Sequence, residues 1–281
     1  MPRDHYIALV GKIVHVAETL RDAPDGLSLQ DLASRTGYVK SSVHRILQSL
    51  KRHSYVEQDG NREKYRLGTQ FLVLASVFVS SIELVKVGRP YLEELVERFD
   101  ENAYLAELRG GKGIFVEVVE APLDLRLSGG SPLAEAYFHA TAAGKAMAAF
   151  LPGESQMAIL HSAGFPALTE RTRTDPSEVE KDWAEIRERG YATNDEETII
   201  GATFLAAPVF DSRFRVCGSI SVGVPKVRFS PAFAEDVALY LVDACRRLSE
   251  KLGETGYIHP HHGEFTTVEN TNQPIYLSKE G

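Results

Sequence analysis

Near the amino end, Val10, Ile13, Val14 and Ala17 recur at helical spacing and predict a helix over residues 7–20. The stretch from Asp22 to Gly26 reads Asp-Ala-Pro-Asp-Gly, which is turn chemistry. Ser28 is placed to cap a second helix. Asp31 sits in that helix's first turn, where a carboxylate suits the positive end of the dipole. This helix turns Leu29, Leu32 and Ala33 inward and stops at Gly37. A third helix is predicted over residues 40–52, with Val43, Ile46, Leu47 and Leu50 on one stripe. Tyr55-Val56-Glu57 and Lys64-Tyr65-Arg66-Leu67 then alternate around Asp59-Gly60-Asn61, the signature of a hairpin.

Residues 71–87 are apolar on more than one face (Leu72, Leu74, Ala75, Val79, Ile82). Two readings fit: a linker helix that packs against a second copy of the chain, or a buried core helix. Pro90 is expected to open the next helix, through Leu92, Leu95 and Val96 to Phe99. Strands are predicted over residues 103–108, 114–119 and 123–127, and again over 204–210 and 216–224. Thr141 can cap a helix over 142–150, and further helices fit 154–162 and 176–189. Ser230-Pro231 combines a cap with proline at the first helical position, and it starts a helix carrying Val237, Leu241, Ala244, Cys245, Leu248 and Leu252. Helices mixed with hairpin-like strands predict an α+β domain. The last 29 residues, rich in Gly, His, Asn, Thr and Pro, lack periodicity and are expected to form a disordered tail. The predicted organisation is therefore 1–67 as one module, 68–87 as a linker helix, 88–252 as a second domain and 253–281 as the tail.

Charge sharpens this division. The 281 residues carry a formal net charge of −8. Residues 1–67 hold 11 Lys+Arg against 8 Asp+Glu, a net of +3, and the remainder holds 20 against 31, a net of −11. The 22 residues from Arg35 to Val56 contain no acid at all. A small basic module joined to a large acidic one leaves only the basic part suited to a polyanion. Composition is that of an ordinary globular chain, with 43% hydrophobic and 25% charged residues. Two cysteines fit a reducing compartment. No run is apolar enough to span a bilayer, and residues 1–10 have no signal-peptide core. The expectation is a cytoplasmic protein with no membrane partner.

Two helices joined by a tight turn, the second polar and basic on one side, make a helix-turn-helix. Ala33 supplies the small residue where the helices touch, and Gly37 accepts the positive φ of the turn. The outward face of the third helix holds Lys40, Ser41, Ser42, His44, Arg45, Gln48, Ser49 and Arg52, residue types that reach base edges and phosphates in a major groove. The hairpin adds Arg62 and Lys64 as a wing. A solvated basic face on an amphipathic bundle is the bland alternative. It leaves the acid-free stretch, the turn and the wing as three separate coincidences.

Taken together, the run 29–37 (LQDLASRTG), Lys40-Ser41-Ser42-Val43-His44-Arg45-Ile46-Leu47, Tyr55-Val56-Glu57 and Tyr65-Arg66-Leu67-Gly68 resemble the IclR family of bacterial transcriptional regulators. The second half resembles it independently: His139-Ala140-Thr141-Ala142-Ala143-Gly144-Lys145-Ala146, then Arg187 to Tyr191, Asp195-Glu196-Glu197 and Ala206-Ala207-Pro208-Val209, in the family's order. The resemblance covers about residues 6–252 and not the tail. It implies a winged helix-turn-helix followed by a GAF-like α+β effector domain, assembled as dimers or tetramers on palindromic double-stranded operators.

By the same resemblance the effector pocket would use Ala142, Ala143, Asn194, Phe204, Ser221 and Gly223. Asn194 stands where the family often has an acid, Phe204 where it has a small residue or Cys, and Gly223 where it has a hydroxyl. These departures imply a small organic acid that is more apolar, or aromatic. On residue chemistry alone the stretch 141–145 suits helix packing as well as it suits an anion.

No catalytic or metal-binding constellation is read, and no cofactor is expected. Gly144-Lys145 lacks the glycine and the Ser/Thr of a phosphate loop, since His139 and Ala146 stand there. Residues 218–223 miss the nucleophile elbow, because the central position is Ile220. His259, His261 and His262 have no cysteine partners and read as a solvated cluster. Two alternatives to a ligand-responsive regulator stay open: a constitutive DNA-binding protein whose second domain only oligomerises, and a GAF-fold enzyme with an accessory helix-turn-helix.

Overall fold

The computed structural model describes residues 7–59, 63–80, 82–122, 133–161 and 165–259. The chain divides into two compact units, residues 1–81 and 82–281.

The first unit opens with α1 (Ala8–Arg21), α2 (Leu29–Thr36) and α3 (Lys40–Arg52). A capping box starts α2. Ser28 Oγ accepts from the Asp31 N–H at 3.2 Å, and Asp31 in turn accepts from the Ser28 N–H. The Ser28 hydroxyl, ahead of the nearby arginine, holds the Asp31 carboxyl below its usual range. Gly37 ends α2 with φ +71, and a Cβ there would meet no atom. Glycine is required at this corner for its conformation, not for space. The antiparallel hairpin β1 (Val56–Gln58) and β2 (Tyr65–Leu67) forms the wing, and Leu27 bridges to Tyr65 beside it. Val16, Leu20, Leu32, Val43, Leu47 and Val56 close the core between helices and wing. The wing tip that carries Arg62 lies outside the described residues.

α4 (Gln70–Ser80) completes this unit, and α5 (Glu83–Phe99) opens the next. The expected single helix over 71–87, with a fresh start at Pro90, is therefore corrected. Pro90 sits inside α5, not at its head. An interior proline costs roughly 3 kcal/mol, but Pro90 is exposed, so water can satisfy the carbonyl it leaves unpaired. Leu84, Val85, Gly88, Leu92, Leu95, Val96 and Phe99 form one buried stripe across it. Burial of that stripe overrides the local signal.

The second unit is built on a six-stranded antiparallel sheet in the order β5-β4-β3-β8-β7-β6. Its strands are β3 (Asn102–Arg109), β4 (Lys112–Val119), β5 (Glu135–Ala136), β6 (Ala192–Asp195), β7 (Ala202–Phe210) and β8 (Val216–Pro225). α6 (Ala142–Ala148), α7 (Gly153–Leu160), α8 (Pro176–Arg189) and α9 (Pro231–Glu254) complete it. β7 and β8 are buried along their whole length, as central strands covered on both faces. Tyr104, Ala106, Phe204 and Ala206 share a core with α6 and α8. On the other face Leu105 packs with α5 and α9 around Gly88 and Leu248. The expected strand at 123–127 lies outside the described residues.

The carboxyl end begins differently from a free tail. The carbonyl of Tyr257 accepts from the Ser212 N–H at 2.9 Å, and His259 is buried with Nε2 3.2 Å from Glu107 Oε1. Arg109 forks onto the same Glu107. Burial works to raise the Glu107 carboxyl, yet His259 and Arg109 overcome it and hold the group below its ordinary value. The expected tail over 253–281, with His259 solvated, is therefore corrected up to residue 259, because a buried carboxylate gives the His259 ring a partner; the rest of that stretch, His261 and His262 included, lies outside the described residues. Among the described residues no helix is long and apolar enough to cross a membrane.

Candidate functional site

Two sites stand out, one in each unit. The first is the solvent face of α3. Its apolar stripe, Val43, Ile46 and Leu47, is buried in the first unit's core, so the opposite side must face outward. Lys40, Ser41, His44, Arg45, Gln48, Ser49 and Arg52 are exposed there, with Ser42 and Lys64 half-buried. His44 and Gln48 are hydrogen-bonded one turn apart at 3.4 Å. Lys51 is tied to Gln58 of the wing. No acid lies on this helix. Lys40, Arg45 and Arg52 make no ion pair among the described residues, so their charge is available to an outside anion.

The second is a cavity of about 180 Å³ between the start of α6, β4–β5 and the turn after β6. Ala142, Ala143, Asn194, Phe204 and Ser221 line it, five of the six positions singled out in the sequence. Gly223 is the sixth and is not among the lining residues. It stands opposite Phe204 in the β7–β8 register and offers no side chain. Phe115, Tyr137, Leu168, Thr198 and Ile199 complete most of the wall and were not anticipated. They come from four separate stretches of chain with no common motif, so only the fold gathers them.

The polar groups of this cavity differ in what they have to spare. Asn194 is almost wholly buried, but its Oδ1 accepts from the Glu197 N–H at 2.8 Å and its Nδ2 donates to Thr198 Oγ1 at 2.7 Å. It holds the 194–198 turn. Thr141 Oγ1 caps α6 by accepting from the Gly144 N–H, and donates to the Tyr137 carbonyl. The first intrahelical bond of α6 runs from Lys145 N–H to the Thr141 carbonyl, so the N–H groups of Ala142 and Ala143 precede it. Ser221 is 2% exposed, and its backbone is held in the β3–β8 and β7–β8 ladders, so its hydroxyl is the group it can offer to the cavity. Tyr104 packs edge-on to Phe115 and tilted against Phe204, backing the cavity with rings.

Behind the cavity sits a buried ion cluster. Lys145 of α6 is completely buried, with Nζ 2.7 Å from Glu197 Oε1 and 2.9 Å from Asp182 Oδ2. Arg173 reaches the same two oxygens at 3.1 and 2.8 Å. Two cations face two carboxylates, so the cluster is neutral. Glu197 Oε2 has no partner among the described residues. Burial pushes the Glu197 carboxyl above its ordinary value, against the pull of Lys145 and Arg173. The signal was present in the sequence: a lysine in a run of Ala and Gly, on a helix with no polar face, has nowhere to go but inward.

The two thiols are inert. Burial pushes the Cys245 thiol up to about 12 and the Cys217 thiol well above its ordinary value, so neither is a ready nucleophile. Among the described residues no group of three His, Cys, Asp or Glu could hold a metal ion.

Comparison with known proteins finds one family across both halves of the chain. The model for the bacterial transcriptional regulator IclR C-terminal domain matches residues 76–250, and that for the IclR helix-turn-helix domain matches residues 10–60. The HTH-type transcriptional regulator BhcR of Paracoccus denitrificans is 31% identical, over 80% of this chain and 80% of its own. The crystal structure of an IclR-type transcriptional regulator from Silicibacter sp. TM1040 superposes with a TM-score of 0.73 at 27% identity, covering 92% of this chain and all of its own. An IclR homologue from Microbacterium hydrocarbonoxydans, solved with 4-hydroxybenzoate, shares the fold at a TM-score of 0.70 and 21% identity, covering 87% and 98%.

Proposed function

The chain belongs to the IclR family of bacterial transcriptional regulators, and from that membership we propose how this particular regulator reads DNA and what it senses. The observation that carries the DNA reading is the face of α3, where unpaired cations and hydrogen-bonding side chains stand together with no acid. α3 enters the major groove. Arg45, Gln48 and His44 contact base edges, with Ser41 and Ser42 at the leading end, and Lys40, Ser49, Arg52, Arg62 and Lys64 contact phosphates. Two copies present their recognition helices about 34 Å apart, or a multiple of it, on a palindrome. Leu72, Val73 and Leu74 of α4 are exposed by about half or more, an apolar surface suited to a second copy of the chain.

The effector is a small organic acid with an aromatic or apolar body. An apolar cavity of about 150 Å³ accommodates benzene, so 180 Å³ admits one ring with a polar substituent. Phe115, Phe204 and Tyr137 supply the walls. Ser221 and the Ala142 and Ala143 N–H groups hold the polar end, while Asn194 shapes the turn beside it. Effector binding shifts the population between arrangements of the DNA modules, by as much as its affinity differs between them. α4 and α5 follow one another along the chain, so the shift is carried through their junction. The named relatives regulate transcription, and we read this chain as a cytoplasmic regulator rather than an enzyme.

Footprinting of the DNA upstream of its own gene, followed by anisotropy titrations, tests the first half. Arg45→Ala and Gln48→Ala should weaken the footprinted site more than random duplex. Arg62→Ala and Lys64→Ala should lower both together. Unchanged affinity and specificity on Arg45→Ala would refute the placement of α3. Calorimetry with benzoate, 4-hydroxybenzoate, pyruvate and glyoxylate tests the second. Binding of the glyoxylate-sized acids alone would overturn the aromatic assignment.

A further inference from the structure

Beside the recognition helix runs a cleft of about 450 Å³ whose far wall is α1. Ser42, Arg45, Ile46 and Ser49 line it from α3, and Leu9, Lys12 and Ile13 line it from α1. Every polar side chain in this lining can donate a hydrogen bond, and none is acidic. Lys12 is exposed and makes no ion pair among the described residues. Its ammonium lies 5.4 Å from the centre of the Tyr38 ring, in the turn that launches α3. Tyr38 OH is hydrogen-bonded to His15 Nδ1 at 3.1 Å, one turn further along α1. The Tyr38 contact thus places a cation beside the α3 face without neutralising it.

We propose that α1 is part of the DNA interface, and that Lys12 holds a backbone phosphate of the duplex at the mouth of this cleft. The proposal rests on the DNA reading of α3 and extends it to a second helix. Buried Ile46 and half-buried Ile13 line the cleft with exposed Leu9 and four hydrogen-bond donors, an arrangement that suits a phosphodiester, whose sugar edges are apolar and whose oxygens only accept. The role is positional: a phosphate gripped from α1 fixes how α3 sits in the groove and carries no base information itself. The acid-free stretch from Arg35 to Val56 identifies α3 as basic. Lys12 lies outside that stretch, and only the packing of α1 brings it alongside.

The experiment uses the full-length protein, a random-sequence 30-base-pair duplex and fluorescence anisotropy between 50 and 200 mM salt. Each phosphate contact contributes a slope of about 0.9 to the dependence of log affinity on log salt. Lys12→Gln should lower the slope by about that amount, and so lower affinity about eightfold at 0.1 M salt. Lys181→Gln, at an exposed position on α8 of the acidic unit, should leave the slope unchanged, and both variants should keep the parent's unfolding midpoint. If the parent binds no duplex, the DNA reading itself fails. If the parent binds and Lys12→Gln keeps its slope, or Lys181→Gln lowers it equally, α1 does not touch DNA and the extension is overturned.

Discussion

Replacing Lys145 by methionine keeps an unbranched side chain only one atom shorter and removes its charge. The ammonium is fully buried between Glu197 and Asp182, whose side chains are 6% and 8% exposed. Breaking one side of a buried ion pair costs about 3–5 kcal/mol, because a desolvated charge is left behind. Arg173 remains within 3.1 Å of both carboxylates and is 41% exposed, so it can shift toward them. The lower end, about 3 kcal/mol, is the expected loss. For a unit of this size that corresponds to a fall of roughly 6–12 °C in the unfolding midpoint.

The loss must also depend on pH. Glu197 already titrates above its ordinary value in the parent, with burial as the leading cause. Without Lys145 the folded-state value rises further. The folded protein then binds more protons than the unfolded chain, so stability falls as pH rises from the unfolded value through the folded one. Lys145→Met should therefore lose less relative to the parent at pH 5 than at pH 7.5. Thermal unfolding followed by circular dichroism at both pH values is the assay. A penalty below about 1 kcal/mol, or one equal at the two pH values, would show that the cluster is not desolvated as the structure has it.

Ser28→Ala removes one half of a capping box and should destabilise the helix-turn-helix by about 1 kcal/mol, read as a lower urea midpoint for the first unit with DNA-contact residues untouched. Gly144→Ala places a Cβ 2.2 Å from the Tyr137 carbonyl oxygen, where backbone meets backbone and neither can yield. The expected loss is about 1–3 kcal/mol, and because α6 and Tyr137 both line the cavity, calorimetric effector binding should be lost as well; a stable Gly144→Ala protein with parental affinity would contradict the close approach.

Much of this molecule is written in local pattern. The α3 stripe, the Ser28 cap, Gly37 and the hairpin each depend on residues within a turn or two of one another, so the winged helix-turn-helix and its basic face follow from sequence. So does the α+β character of the second half, since β7 and β8 are long apolar runs. Non-local packing decided the rest. Pro90 lies within α5 because seven residues bury one face across it, an energy no local signal contains. β5, with 2 residues, and β6, with 4, exist because neighbouring strands recruit them. His259 is ordered because Glu107, 152 residues away, is buried beneath it. Asn194, which lines the cavity, also clamps its own loop, and Lys12 shares a cleft with Arg45, for the same reason. Hydrogen bonds and charges act over a few ångströms of space, and only the fold determines which distant residues share those ångströms.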